Sequence, residues 1–485
     1  MYAMIDKIRS LSKDTLIYGV NTIVGRFLNF VLVPYYTNKF LPAEYGVVAL
    51  LYSYIAILNV FFSIGLESGY MRFASQKETG SDKENFSNPY LLNVINSLLL
   101  GTLIFVFADQ FAYLFQIEAE YSYLVRYMAA ILFFDSVVLI PFAYLRLCNR
   151  ALKFSTYKII NIVLNVALNF ILISYFKMGI ESIFISNLAA SAITFLMIVP
   201  LISGNWTFSF NKQLVNDLLK FSLPYIPVGI ASNIIQIVDR PILKVLSDDK
   251  TVGIYQANYK LGIFMMLVVS MFEYAWRPFF LNNAKEKNAK EIFAKVLTAF
   301  VIVGSFIVLL LSVFITDIVK AELPFGFHLI GKDYWGGLDI VPIILFSYLF
   351  YGMYINFMAG IYIEKKTSYL SLIALIGAAL NIAGIFLLYP VLGLQGVAVA
   401  TLLSYVVMMA SIYFVSNKFY PVKYEWERIF AIIGIMMVVY AGYFYSNKLF
   451  DLSWYVKIVF PLGYLLLLRV LKLFDPRTLK KLAGK

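Results

Sequence analysis

The sequence holds a single cysteine, Cys148, and a single histidine, His328. One cysteine excludes any disulfide within the chain, and one histidine excludes a histidine metal cluster. The phosphate loop GxxxxGKS/T, the zinc motif HExxH and the pair CxxC are missing too. Nothing therefore points to ATP hydrolysis or to a catalytic metal of the His/Cys kind. Charge is scarce: 14% of residues are charged, where a soluble domain carries about 25%.

What fills the chain is apolar. Hydrophobic residues make up 61% of it, in runs long enough to span a bilayer, which takes roughly 20 residues across about 30 Å. The net charge of +12 would suggest nucleic acid in a soluble protein. Here basic loops and a cationic cavity account for it, and no nucleic-acid partner is expected. Lys7, Arg9 and Lys13 before the first apolar run resemble a signal peptide. That run contains Arg26 and lacks a small-residue cleavage site, so it is expected to stay as a first helix.

The pattern predicts an all-α polytopic membrane protein of about fourteen helices. They are expected at Thr15–Asn38, Tyr45–Ser68, Pro89–Asp109, Ser122–Leu145, Phe154–Tyr175 and Glu181–Ile202. A second group is expected at Leu218–Lys244, Gly253–Phe280, Phe293–Thr316, Leu338–Ile361, Ser368–Leu388 and Gln395–Val415, with two more at Arg428–Ser446 and Ser453–Lys472. The longest external loop, Asp317–Gly337, is too small for a folded domain.

Basic residues are unevenly shared between alternate loops. One set, with both termini, holds about 21 of them, including Arg72, Arg146, Arg150 and Lys365, against about seven in the other set. The positive-inside bias places both termini in the cytoplasm.

An internal repeat is also legible. Pro42-Ala43-Glu44-Tyr45-Gly46 opens the second helix, and Val252-Gly253-Ile254-Tyr255 opens the eighth, 207 residues later. Met178-Gly179-Ile180-Glu181 and Leu392-Gly393-Leu394-Gln395 stand before the sixth and twelfth helices at an offset of 214. Two matches at similar offsets predict duplicated six-helix bundles at 1–210 and 211–420, with two further helices and a tail at 421–485. Six helices per unit insert both halves in the same direction, and parallel repeats of this kind hold a substrate site between them.

Ionisable residues inside helices are expensive unless they face a cavity or a partner. Arg26 sits mid-helix near Asn21 and Asn29, and Asp135 lies mid-way along the fourth helix. Asp239 and Arg240 precede Pro241, and Lys260 follows Gln256 and Asn258. Lys158 is continued at helical spacing by Asn161, Asn165 and Asn169. Two readings stand for each. Arg26 and Asp135 pair with one another, or line a cavity. Asp239 and Arg240 point about 100° apart on a helix, so one makes an interhelical bond. Lys158 and Lys260 snorkel to an interface, or act as counterions. The asparagines join helices, or touch ligand. Glu67 and Glu273 are expected to pair locally with Arg72 and Arg277. The functional reading puts several cations in an inward-facing cavity suited to a diphosphate.

Tyr18-Gly19, Asn21, Arg26, Pro34, Tyr36-Thr37, Pro42 to Gly46, and Gly65-Leu66 through Arg72-Phe73 together resemble the O-antigen and capsule repeat-unit flippases. These form the polysaccharide transport branch of the multidrug/oligosaccharidyl-lipid/polysaccharide exporter superfamily. The resemblance continues through Asp239-Arg240, Gly253-Ile254-Tyr255 and Tyr259-Lys260-Leu261. It runs on through Lys365-Lys366-Thr367, Asn381, Pro390 and Gly393 to Ala400-Thr401, and so covers almost the whole chain. It implies two six-helix bundles around a central cavity plus two C-terminal helices. It also implies alternating access that carries an undecaprenyl-diphosphate-linked oligosaccharide from the cytoplasmic to the periplasmic leaflet of a bacterial inner membrane. Coupling to a proton or sodium gradient, and work beside the polysaccharide polymerase machinery and membrane lipids, come with it, and no cofactor does.

On that reading Arg26, Lys158, Arg240, Lys260, Asn161 and Asn165 are the substrate-binding candidates. Asp135 and Asp239 are the ion-coupling candidates, because a buried carboxylate can take up and release a proton. Three competitors remain: an organic-cation exporter of the same superfamily, a lipid II flippase, and a membrane polysaccharide polymerase. Cationic cargo would favour a cavity rich in carboxylates. A polymerase would favour larger external loops than these, so a transporter rather than an enzyme is expected.

Overall fold

The structure, a computed structural model, describes residues 25, 27, 30–76 and 79–473. It is overwhelmingly α-helical, and among the described residues eleven helical stretches are long and apolar enough to cross a membrane. The protein is thus a multi-pass membrane protein. By its internal contacts the chain divides into two compact units, Met1–Gly253 and Ile254–Lys485.

In the first unit α1 (Pro42–Ser63) gives way to α2 (Leu66–Gln76) through Ile64 and Gly65, both at positive φ. Then come α3 (Asp82–Val106), α4 (Ala108–Leu114), α5 (Tyr123–Val137), α6 (Leu139–Leu147), α7 (Ala151–Phe170) and α8 (Glu181–Asn205). The shorter α9 (Lys212–Ser222), α10 (Tyr225–Ile237) and α11 (Asp239–Leu246) follow, and the unit ends inside α12 (Asp249–Tyr259). Helix starts are set locally. The Ser81 hydroxyl accepts the Glu84 amide at 3.3 Å while the Glu84 carboxylate accepts the Ser81 amide at 2.8 Å, so two otherwise unmatched donors are satisfied at the head of α3. Cys148 lies exposed in the turn after α6.

α5 packs against α1, α3 and α8, and α7 packs against α8. The core between α2, α3 and α6 is Leu66, Tyr70, Phe86, Tyr90, Ile140 and Ala143. Residues 211–253, expected with a second bundle, lie by contact with this unit: α9 seats Leu214 and Leu218 on Phe73 of α2, and α10 and α11 pack on α1. The two glycines of the repeat meet here. A Cβ at Gly46 would overlap the main chain of Asp249, and one at Gly253 would overlap the Pro42 carbonyl. Glycine at both positions lets the starts of α1 and α12 touch through their backbones.

The second unit carries a 3₁₀ turn, Lys260–Gly262, then α13 (Ile263–Asn283) and the 32-residue α14 (Ala289–Lys320). A two-stranded antiparallel hairpin follows, β1 (Glu322–Leu323) with β2 (Phe327–His328). His328 Nδ1 lies 3.1 Å from the Lys320 carbonyl and its ring stands edge-on to Trp335, so the lone histidine fastens this hairpin. Next come α15 (Val341–Ile363), α16 (Ser368–Leu392), α17 (Leu394–Phe419), α18 (Trp426–Phe450), α19 (Trp454–Lys457) and α20 (Val459–Val470). α15 packs on α13, α14 and α17, while α18 and α20 pair with each other and lie on α14. Gly393, at φ +57°, makes the sharp turn from α16 to α17.

Eleven of the fourteen expected spans are matched among the described residues. Thr15–Asn38 lies largely outside the described residues, although 30–37 are helical. The expected span Leu218–Lys244 is broken near Pro224 and again before Pro241, whose ring cannot donate to the Ile237 carbonyl and crowds it. The last span is broken in the same way: Pro461 denies a bond to Lys457 and separates α19 from α20.

Candidate functional site

The candidate site is a partly buried polar network inside the first unit, built from α1, α5, α7 and α8. Asp135, near the end of α5, accepts the Ser191 hydroxyl of α8 at 2.6 Å. Among the described residues this is its only hydrogen-bond partner. Ser191 lies 3.5 Å from the Asn187 side-chain oxygen, and Asn187 donates to the Tyr52 hydroxyl of α1 at 2.9 Å. Asn187, Ser191 and Thr194 fall at i, i+4 and i+7, so α8 presents one polar stripe along an otherwise apolar helix. Lys158 of α7 lies within electrostatic reach of Asp135, and its ammonium stands 4.5 Å from the Phe142 ring centre. A carboxylate within reach of an ammonium lowers the cost of holding either charge inside a membrane-crossing helix.

The asparagines of α7 extend the network. Asn161 donates to Thr194 at 2.9 Å, tying α7 to α8. Asn165 accepts from Asn169 at 2.9 Å, and Asn169 accepts the Tyr36 hydroxyl at 2.8 Å. Bonds of this kind between membrane helices are worth about 0.6 kcal/mol each on average. They hold helices together, and they also keep a line of amides on one face.

Asp239 and Arg240 begin α11 and are buried, 1% and 4% exposed. Arg240 Nη1 donates to Asp239 Oδ1 at 2.5 Å and to the Gln236 carbonyl at 2.5 Å. The guanidinium curls back over the end of α10, and the two neighbours pair with one another. Tyr45 of α1 lies within electrostatic reach of Arg240, and its ring centre stands 6.2 Å from that of Tyr36.

The fold therefore places six sequence candidates, Asp135, Lys158, Asn161, Asn165, Asp239 and Arg240, in one unit. Lys260 opens the 3₁₀ turn of the other unit and is half-buried. Arg26, with Asn21 and Asn29, lies outside the described residues. Glu67 departs from expectation. It pairs with Arg146 of α6, while Arg72 stacks over Phe221 with its guanidinium 4.5 Å from the ring centre. Glu67 and Arg72 are five residues apart, about 140° around a helix, and so face different neighbours. Glu273 and Arg277, four apart, do pair locally at 3.3 Å.

Tyr36, Tyr52, Asn169, Asn187, Ser191 and Thr194 complete the network, and of these only Tyr36 and Asn169 stood out in the sequence. The three-residue stripe on α8 was the available signal.

A family model described as polysaccharide biosynthesis protein matches residues 11–284, more than half of the chain. The chain belongs to that family. No curated protein sequence matches it significantly. Among solved structures, the chain is similar to one named lipid II flippase MurJ, in an inward closed conformation. The TM-score is 0.75 at 17% identity, over 94% of this chain and 98% of that one. It is also similar to an inward-facing multidrug resistance MATE family transporter of the MOP superfamily, with TM-score 0.66, 14% identity, and 81% and 94% coverage. A third likeness is the Vibrio cholerae MATE transporter VcmN in its bent form, with TM-score 0.56, 14% identity, and 86% and 98% coverage. At these identities the likeness establishes the fold, that of polytopic transporters and a flippase rather than of enzymes.

Proposed function

We propose that the protein is a flippase that moves an undecaprenyl-diphosphate-linked oligosaccharide from the cytoplasmic to the periplasmic leaflet of a bacterial inner membrane by alternating access. The observation that carries the reading is the Asp135–Lys158 pair within a hydrogen-bonded network of α1, α5, α7 and α8. Opposite charges held in membrane-crossing helices mark an ion or substrate pathway. The family description and the fold shared with a lipid II flippase support a lipid-linked saccharide as cargo. Arg26, Lys158, Arg240 and Lys260 supply cations for the diphosphate, and Asn161 and Asn165 supply amides for it or its first sugar. Asp135 is the coupling residue for a proton or sodium ion. Asp239, paired to Arg240, is the second coupling candidate. Two parallel six-helix repeats with a site between them, and both termini in the cytoplasm, complete the proposal.

The test is deletion of the gene in its host, followed by analysis of surface polysaccharide and of lipid-linked repeat units on each face of the membrane. Loss of the polysaccharide with repeat units held on the cytoplasmic side is the expected result. Rescue should succeed with the wild-type gene and fail with Arg26→Ala or Lys260→Ala. Normal polysaccharide combined with new drug sensitivity would overturn the proposal in favour of a small-molecule exporter.

A further inference from the structure

The second unit contains a cavity of about 600 Å³ between α14, α15, α17 and α18 that plays no part in the network above. Its lining changes character with depth. Asp339, Gln395, Asn447 and Lys448 lie where these helices begin or end on a single side, together with Thr316 near the end of α14. Val308, Leu309, Phe346, Leu402, Met436 and Met437 line the interior. From Thr316 to Val308, and from Lys448 to Met437, the helices rise roughly 12 and 16 Å. Half of a bilayer's hydrocarbon is about 15 Å thick. The cavity is therefore one leaflet deep, with polar groups at the mouth and an apolar well behind them.

Its side is open. Met437 and Phe444, both lining residues, are 53% and 49% exposed, and with Phe430 they form a stripe at seven-residue spacing along α18. Such a stripe faces lipid, so the well is entered from the hydrocarbon and not only from water. The mouth carries both signs. Among the described residues neither Asp339 nor Lys448 has an ion-pair partner, and the Asn447 side-chain oxygen is buried without a hydrogen-bond donor. A leftover acceptor and a carboxylate lining one mouth suit a primary ammonium, and the lysine suits a phosphate.

We propose that this cavity holds one glycerophospholipid with a zwitterionic, primary-ammonium head group, such as phosphatidylethanolamine, drawn from the leaflet beside α14's Lys320 end. One acyl chain fills the well beside Leu402 and Met437. The phosphate rests on Lys448, and the ammonium binds Asp339 and Asn447. Charge complementarity selects this occupant over an anionic lipid, which Asp339 repels. The lateral opening selects a membrane lipid over a soluble ligand.

The full chain, purified in detergent and incubated with equal amounts of phosphatidylethanolamine, phosphatidylcholine and phosphatidylglycerol, is examined by native mass spectrometry. One phosphatidylethanolamine should be retained per chain, at least fivefold over either other lipid. Leu402→Trp or Met437→Trp should abolish retention. Asp339→Asn with Asn447→Leu should remove the head-group preference while a lipid still binds. If the tryptophan variants fail to elute as folded protein, the head-group variants decide alone. Equal retention of all three lipids by the wild type, retention undiminished by filling the well, or detergent as the sole occupant would each overturn the assignment. So would displacement of the bound lipid by stoichiometric undecaprenyl phosphate, which would make the cavity a place for the cargo's chain instead.

Discussion

Lys457 Nζ donates to both carboxylate oxygens of Asp317, at 2.9 and 2.8 Å, with the lysine side chain only 5% exposed. This pair fastens the short helix α19 to the end of α14, and so attaches the C-terminal helices of the second unit to its bundle. Removing one partner leaves the other charge without compensation, and the cost depends on which remains. Asp317→Ala strands the buried ammonium and should lower stability by about 3 kcal/mol. Lys457→Met strands a carboxylate that is 36% exposed and can reach water, so its cost should be smaller. The double variant should recover part of the loss. Thermal unfolding of the four proteins in one detergent checks the order, and additive losses would show that the pair is not coupled.

The repeat glycines give a second prediction. Gly46→Ala and Gly253→Ala each place a methyl group onto main-chain atoms that cannot swing aside. Each should cost about 1–3 kcal/mol, whereas Gly204→Ala, with nothing within 4 Å, should be neutral or slightly stabilising. Melting temperatures in detergent separate the two classes.

In the polar network, Asp135→Asn keeps a hydrogen bond with Ser191 but removes the charge that balances Lys158. The fold should survive, while gradient-driven flipping in proteoliposomes should fall by an order of magnitude or more if Asp135 is the coupling residue. Tyr52→Phe, which deletes one neutral bond, should cost about 0.6 kcal/mol and leave coupling intact. Full gradient-dependent activity in the Asn variant would remove Asp135 from the mechanism.

Asp239→Ala should be worse for stability than Asp239→Leu combined with Arg240→Met. The single change leaves a guanidinium buried at 4% exposure without its carboxylate, a loss of about 3 kcal/mol, while the double change replaces both charges with apolar surface. Chemical unfolding in mixed micelles provides the comparison.

Much of this architecture was legible because a bilayer imposes length on apolar runs. Eleven stretches among the described residues stand where such runs predicted spans. Proline explains where two expected spans are interrupted: Pro241 and Pro461 each remove one helical hydrogen bond inside an apolar segment. Pairings were less legible. Glu67 to Arg72 and Glu273 to Arg277 look alike as strings, yet only the second has helical spacing, and Arg146 is found by Glu67 through the packing of α2 on α6. Tyr52 and Ser191 were invisible because a hydroxyl in an apolar run becomes meaningful only when another helix brings it a partner. Lys457 looks like an interfacial lysine in the sequence, and its burial depends on Asp317, 140 residues away.

Cys148 stands exposed in the turn after α6, beside Tyr144. With no second thiol in the chain, the native protein is already a single-site reporter. A membrane-impermeant maleimide applied to sealed vesicles of either sidedness would mark that turn directly, and so read the insertion direction without an engineered cysteine.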